Sequence, residues 1–161
     1  MRGVRIDRVY SSDLVRAVET ARLALNGRDV PFRASAALRE LAYGEWEGLT
    51  EAEAMKREPA LFQLWHRGDP EFAAPGGESF EALMDRAVSF AATVSARHPD
   101  DDILVVSHGG MVRALGLALL ELPLDLFARF AVSRGSISVL DVYPEGAVLK
   151  LWNETSHYRS I

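Results

Sequence analysis

The sequence contains no cysteine, and that absence removes disulfide frameworks, thiolate metal sites and every cysteine-nucleophile mechanism. It opens without a basic segment leading into an apolar stretch, and its apolar runs are too short and too interrupted to span a bilayer. A cytoplasmic protein with no membrane partner is the expectation. Positive charge is in deficit as well, since 18 Lys and Arg stand against 23 Asp and Glu for a net charge of -5. No basic footprint for nucleic acid results. The four histidines are spaced like no zinc template, so neither a metal nor a cofactor is expected.

What is present suits an α/β protein. With 161 residues, 48% of them hydrophobic and 25% charged, the chain can build one domain over residues 1–161 around a sizeable core. Ile6 to Tyr10 reads as a strand, and Ser11-Ser12-Asp13 supplies cap-type residues before the helical pattern LVRAVETARLALNG, which closes at Gly27. A second strand is expected within Phe32 to Leu38, leading into the loop RELAYGEWEG. The run TEAEAMKREPALFQLWHRG is helical with a break near Pro59, and DPEFAAPGGES is a loop whose Ser79 can cap the amphipathic helix FEALMDRAVSFAATVSARH. The strand Ile103 to Val106 follows, then a helix from Met111 to Leu122 stopped by Pro123. SISVLDVYPEGAVLKLWN alternates around a Pro-Glu-Gly turn and reads as a hairpin.

Strands alternating with helices predict a mostly parallel sheet with helices on both faces and the hairpin at one edge. In such a sheet the loops after the strands share one rim, and ligands bind there. That rim collects Ser11, Ser12 and Arg16 from the first unit, Glu40 from the second, and His108, Gly109 and Gly110 from the third.

The third unit is the most telling. The stretch VVSHGGMVRALGLAL drives an apolar strand into His108 and a glycine pair before an apolar helix begins. The free N–H groups of a first helical turn point at whatever anion sits in front of them, which makes Gly109, just ahead of the helix, a phosphate-binding candidate. A histidine directly after a buried strand is costly unless it is used or satisfied. Arg16 stands in the first turn of its own helix, where a guanidinium can clamp phosphate bidentately; from periodicity alone, a solvated helix arginine is the simpler reading. Glu40 lies between Leu38 and Leu41 in a loop aimed at the same rim. Beside a bound dianion, repulsion and desolvation would favour its protonated carboxyl, the form a general acid needs, and without that neighbour it is an ordinary surface glutamate. Asp7, Glu45, Glu47 and Glu78 read as surface carboxylates, and His66 and His98 as surface histidines. Lys56, Arg57 and Arg67 read as a solvated face. Leu61, Phe62, Trp65 and Phe72 fit either an apolar lid or core packing.

In order along nearly the whole chain, these segments resemble the histidine phosphatase superfamily, which also contains the cofactor-dependent phosphoglycerate mutases. VYSSDLVRAVETA is similar to that family's phosphate-arginine segment and LRELAYGEWEG to its acid-glutamate segment. PGGES resembles its helix entry, VVSHGG its second-histidine segment and NETSHY its C-terminal signature. The resemblance implies a phosphoglycerate mutase-like fold in which Arg16 binds the transferred phosphoryl group, Glu40 donates a proton to the leaving alcohol, and His108 stabilises the phosphoryl oxygens. It implies metal-free chemistry through a phosphohistidine that water hydrolyses, with a small phosphomonoester or inorganic phosphate as the ligand. The stretch between Glu40 and His108 is short, whereas the mutases carry a longer insertion there, so a phosphatase is favoured over a mutase.

One element of the family pattern has no counterpart. The family's nucleophilic histidine stands in an Arg-His-Gly motif on its first, central strand, but here Arg97-His98 is followed by Pro99 and His66 by Arg67. The expectation is that the first strand-helix unit is absent, through an N-terminally shortened copy of an active phosphatase or in a phosphate-binding protein without the nucleophile. A sheet without its central strand would have unpaired edges, which makes a homodimer a further expectation.

Overall fold

A computed structural model describes residues 3–157. Tyr158, the last residue of NETSHY, lies outside the described residues, as do Met1 and Arg2. Three parallel strands form the central sheet in the order β2-β1-β3, with β1 at Arg8–Ser12, β2 at Phe32–Ser35 and β3 at Ile103–Val106. Among the described residues five α-helices accompany it: α1 (Val15–Leu25), α2 (Glu51–Arg57), α3 (Pro59–Arg67), α4 (Phe80–Arg97) and α5 (Gly109–Leu119).

The register of β1 against β3 pairs Val9 with Leu104 and Tyr10 with Val105. Alternation then sends Val9, Leu104 and Val106 to one face, where they pack with Ala21 and Leu25 of α1. Tyr10, Ile103 and Val105 go to the other, joining the larger core that α4 and α5 cover. Helices on both faces are thus required by the apolar character of both sides of β3. A chain of rings runs through that larger core, with Trp46 to Phe72 at 5.3 Å, Phe72 to Phe80 at 5.1 Å and Phe80 to Phe127 at 4.7 Å between centroids. Phe72 is fully buried and Phe62 nearly so. Of the two readings of the aromatic stripe, core packing is the one observed for these two side chains.

Several boundaries differ from expectation. β1 begins two residues late and extends through Ser12, so Ser11 and Ser12 are strand residues; Leu14 is the N-cap of α1 and has no side-chain cap. The second strand is shorter than expected, because Ser35 accepts from the Ala37 N–H and turns Ala36–Leu38 into a 3₁₀ turn. α5 starts at Gly109 and ends at Leu119. Ser79 does cap α4, accepting from the Ala82 N–H, and the break at Pro59 divides α2 from α3.

The hairpin is also placed differently. β4 (Ile137–Tyr143) and β5 (Gly146–Glu154) pair antiparallel as a two-stranded sheet of their own, not as an edge of the parallel one. Trp152 of β5 fixes it to the rest. Its ring crosses Phe130 at 5.0 Å and 87°, its Nε1–H donates to the Ala131 carbonyl at 2.7 Å, and it sits over Gly116 of α5. A Cβ at Gly116 would come 2.6 Å from that indole, so the close contact requires glycine.

Candidate active site

The C-terminal ends of β1 and β3 and the 3₁₀ turn after β2 open onto one rim, and the expected polar residues meet there. His108 follows β3 and occupies the N-cap position of α5, with extended backbone. Its side chain caps nothing; it turns back across the sheet. Nε2 lies 2.9 Å from Oγ of Ser12, at the end of β1, and Nδ1 accepts from Nε of Arg16 at 3.2 Å. A guanidinium can only donate, so Nδ1 is the acceptor and the proton of the neutral ring is on Nε2, donated to Ser12. Burial and the Arg16 cation push the imidazole below its ordinary value, while Glu40 and Asp13 pull the other way.

Arg16 is the second residue of α1 and is exposed, with its Nε turned to His108. Ser12 is fully buried, and its Oγ also accepts from the Leu14 N–H at 3.3 Å. Glu40 comes from the irregular segment between two 3₁₀ turns, Ala36–Leu38 and Gly44–Trp46. Its carboxylate accepts from the Gly110 N–H at 3.0 and 3.2 Å and from its own neighbour, the Leu41 N–H, at 3.0 Å. A carboxylate at a helix N-terminus is favourably placed. Gly110 permits the contact, because a Cβ there would collide with Oε1 of Glu40. Gly109, the first residue of α5, lies between this carboxylate and His108.

Two cross-links tie the loops of the rim together. The Ser107 hydroxyl donates to the Leu38 carbonyl at 2.7 Å, and Arg39 donates twice to Asp13, at 2.7 Å each. An open cleft of about 400 Å³ lies beside Glu40, walled by Arg39, Ala42, Gly77 and Arg86. A second, of about 200 Å³, is lined by Trp46, Leu49, Phe62 and Trp65 together with Glu47, Thr50 and Glu51.

Other candidates lie elsewhere. Glu45 pairs with Arg57, Glu47 accepts from the Tyr43 N–H at 2.9 Å, and Asp7 accepts from the Asp102 N–H at 2.8 Å. His66 is exposed, as expected. His98 is not a surface residue: its side chain is only 15% exposed, bonded to the Tyr10 hydroxyl at 2.9 Å and near Asp101 at 3.2 Å. Glu78 is not a surface carboxylate either, being 17% exposed and paired with Arg86. Among the described residues no cluster of three or more His, Asp or Glu side chains is placed to hold a metal ion, and no helix is long and apolar enough to cross a membrane. Sequence reasoning missed Arg86, whose position on a helical polar face carries no signal of its target.

A parallel α/β sheet with helices on both faces, and a histidine and a helix N-terminus at the carboxyl end of its strands, defines the phosphoglycerate mutase-like architecture. The solved structure of Bacillus stearothermophilus YhfR superposes with a TM-score of 0.89 at 27% identity, over 97% of this chain and 78% of that one. The chain belongs to the histidine phosphatase superfamily, whose branch 1 matches residues 1–155. It is 33% identical over 154 residues to the adenosylcobalamin/alpha-ribazole phosphatase of Escherichia coli K12, covering 95% of this chain and 75% of that one. It is 30% identical to phosphoserine phosphatase 1 of Hydrogenobacter thermophilus, over 94% of this chain and 72% of that protein.

Proposed function

We propose that this chain carries the phosphate cradle and the proton donor of a metal-independent phosphomonoester hydrolase acting on a small substrate. The observation that carries the reading is the convergence of Arg16, His108 and Ser12 in front of the Gly109–Gly110 helix start, with Glu40 on the Gly110 N–H. Two donors and a helix N-terminus make an anion site, and the adjacent carboxyl can serve the leaving oxygen. The similarity to phosphatases of small phosphate esters supports the same substrate class.

In this reading a histidine nitrogen attacks phosphorus and the P–O bond to the alcohol breaks as Glu40 passes its proton to that oxygen. Water then attacks the phosphohistidine and returns a proton to the Glu40 carboxylate, releasing phosphate and the free histidine. Arg16, His108 and the Gly109 N–H hold the phosphoryl oxygens as their charge develops. His108 already faces those oxygens, and His66, His98 and His157 lie against Phe62, Tyr10 and the Gly135 carbonyl respectively. This reading therefore uses none of these four histidines as the nucleophile and takes the attacking histidine to be one that the given sequence does not contain. The second reading, a cradle that binds phosphate without turnover, is favoured by the lack of Arg-His-Gly in the sequence.

Anion binding and turnover test the two. Inorganic phosphate at about 100 times its Kd stabilises by about 2.7 kcal/mol, or about 5–10 °C in Tm for a protein of this size. Absence of any shift with phosphate or vanadate refutes both readings. The 161-residue protein should give no phosphohistidine in ³¹P NMR after rapid quenching, whereas a version extended upstream by its own coding sequence should hydrolyse p-nitrophenyl phosphate in EDTA. An extended version that binds phosphate but neither turns over nor labels supports the second reading.

A further inference from the structure

We propose that Arg86, held in a fork by Glu78, is a positioning residue that sets Glu40 on the Gly110 N–H; this rests on the reading of Glu40 as the proton donor. Arg86 lies on α4, and all three of its guanidinium nitrogens are used. Nε and Nη2 each donate to Glu78 at 2.8 Å, in the planar bidentate geometry that arginine alone provides. Nη1 donates to the Ala37 carbonyl at 2.7 Å and the Arg39 carbonyl at 3.1 Å. Glu78 in turn receives the Ala42 N–H at 3.4 Å on its side chain and donates its own N–H to the Ala42 carbonyl at 2.8 Å.

The anchored positions are the reason for assigning a role in the chemistry. They flank Glu40 on both sides: Ala37 belongs to the first 3₁₀ turn, while Arg39 and Ala42 lie in the stretch that no strand or helix stabilises between the two turns. Beyond its own neighbour, the Glu40 side chain has the Gly110 N–H as its partner. A carboxylate projecting from an irregular loop keeps a productive geometry only if its backbone is fixed. The clamp is itself partly sheltered, with Arg86 25% and Glu78 17% exposed, so its bonds are weakly screened. The interaction therefore connects the first two turns of α4 to the placement of one carboxyl at the start of α5.

The test compares the 161-residue protein with Arg86→Lys, which keeps the charge but not the fork, and Glu78→Gln, which leaves the fork without its counter-charge. Amide hydrogen exchange at Gly110 is read by NMR, with Val112, whose N–H bonds to the His108 carbonyl, as the control on the same helix. Both variants should speed exchange at Gly110 by about tenfold or more and leave Val112 unchanged. The Kd for inorganic phosphate should stay within about threefold, because Arg16 and His108 share no partner with the clamp. Unchanged Gly110 exchange in a folded variant overturns the proposal. So does equal acceleration of Gly110 and Val112, which would make the clamp a general support of α5. Failure of the unsubstituted protein to bind phosphate would refute the phosphatase reading instead, while the Gly110 comparison would still decide the clamp.

Discussion

Arg16 donates from Nε to Nδ1 of His108 at 3.2 Å, a contact between the first turn of one helix and the cap of another that are 92 residues apart in sequence. A protonated His108 could not accept this bond and would face a second cation. Burial and Arg16 together hold the imidazole below its ordinary value of 6.5, so the fold retains the neutral ring and the unfolded chain takes the proton more readily. The associated stability is present above that ordinary value and is lost as pH falls through the lower folded value. Arg16→Ala removes the cation, and the His108 titration followed by its ring protons should move upward while the rise in Tm at a fixed phosphate concentration shrinks to about half or less. The phosphate affinity itself should fall by roughly tenfold or more, as expected for loss of a hydrogen bond to a charged group. An unmoved titration would place Arg16 outside the site.

A bound dianion reverses the electrostatics around the same ring. It takes over the Arg16 guanidinium and adds negative charge to that of Glu40 and Asp13, the carboxylates that already favour the imidazolium. Binding should therefore take up a proton near neutral pH. Sulfate is the cleaner probe, since its own charge is constant in this range. Its affinity should strengthen as pH falls from 8 to 6, by no more than about tenfold per unit for one proton. Calorimetry in two buffers of different ionisation enthalpy gives the proton count directly; Glu40→Gln removes the carboxyl that a dianion would also protonate, and a count of zero with flat affinity in that variant would exclude His108 from the anion's surroundings.

The parts of this fold that could be read from the sequence are those whose signal is local. Ile103–Val106 is a plain apolar run, Ser79 a plain cap and Pro59 a plain break, and the structure has a strand, a helix cap and a helix boundary at those positions. Ser11 and Ser12 look like a helix cap for the same local reason. They are buried in the strand instead, because Ser11 bonds the Ser12 carbonyl while Ser12 bonds His108 from 96 residues away. Long-range satisfaction of that kind leaves no periodicity. His98 and Glu78 look like surface residues in the sequence because their partners, Tyr10 and Arg86, are brought to them only by folding. The separate hairpin follows from Trp152, whose indole docks on α5 at Gly116.

That docking makes Gly116 a stability position with no role at the rim. Gly116→Ala sets a methyl 2.6 Å from the Trp152 ring, and relief requires moving the indole that joins β5 to Phe130 and Ala131. Overpacking of this kind costs about 1–3 kcal/mol, or roughly 2–10 °C in Tm for a chain of this length. Phosphate should still raise the variant's Tm by the same increment as in the parent. A variant as stable as the parent would show that the hairpin seats loosely on α5.

Ser11 and Ser12 separate stability from binding at adjacent positions. Both side chains are fully buried, so removing either hydroxyl costs about 1–3 kcal/mol through a polar group left without its partner. Ser11 donates to the Ser12 carbonyl at 2.9 Å, whereas the hydroxyl bonded to the imidazole is that of Ser12. Ser12 receives the Nε2 proton of His108 at 2.9 Å, and without it the ring loses one of the two bonds that fix its orientation toward the phosphoryl site. Ser11→Ala should lower Tm with an unchanged phosphate Kd, whereas Ser12→Ala should lower Tm and weaken phosphate binding by about threefold to tenfold. The stability loss is common to both, so the difference in Kd between the variants isolates the contribution of His108 orientation. Equal affinities for the two variants would mean that Arg16 alone suffices to hold the ring, and that Ser12 serves the strand end and not the anion.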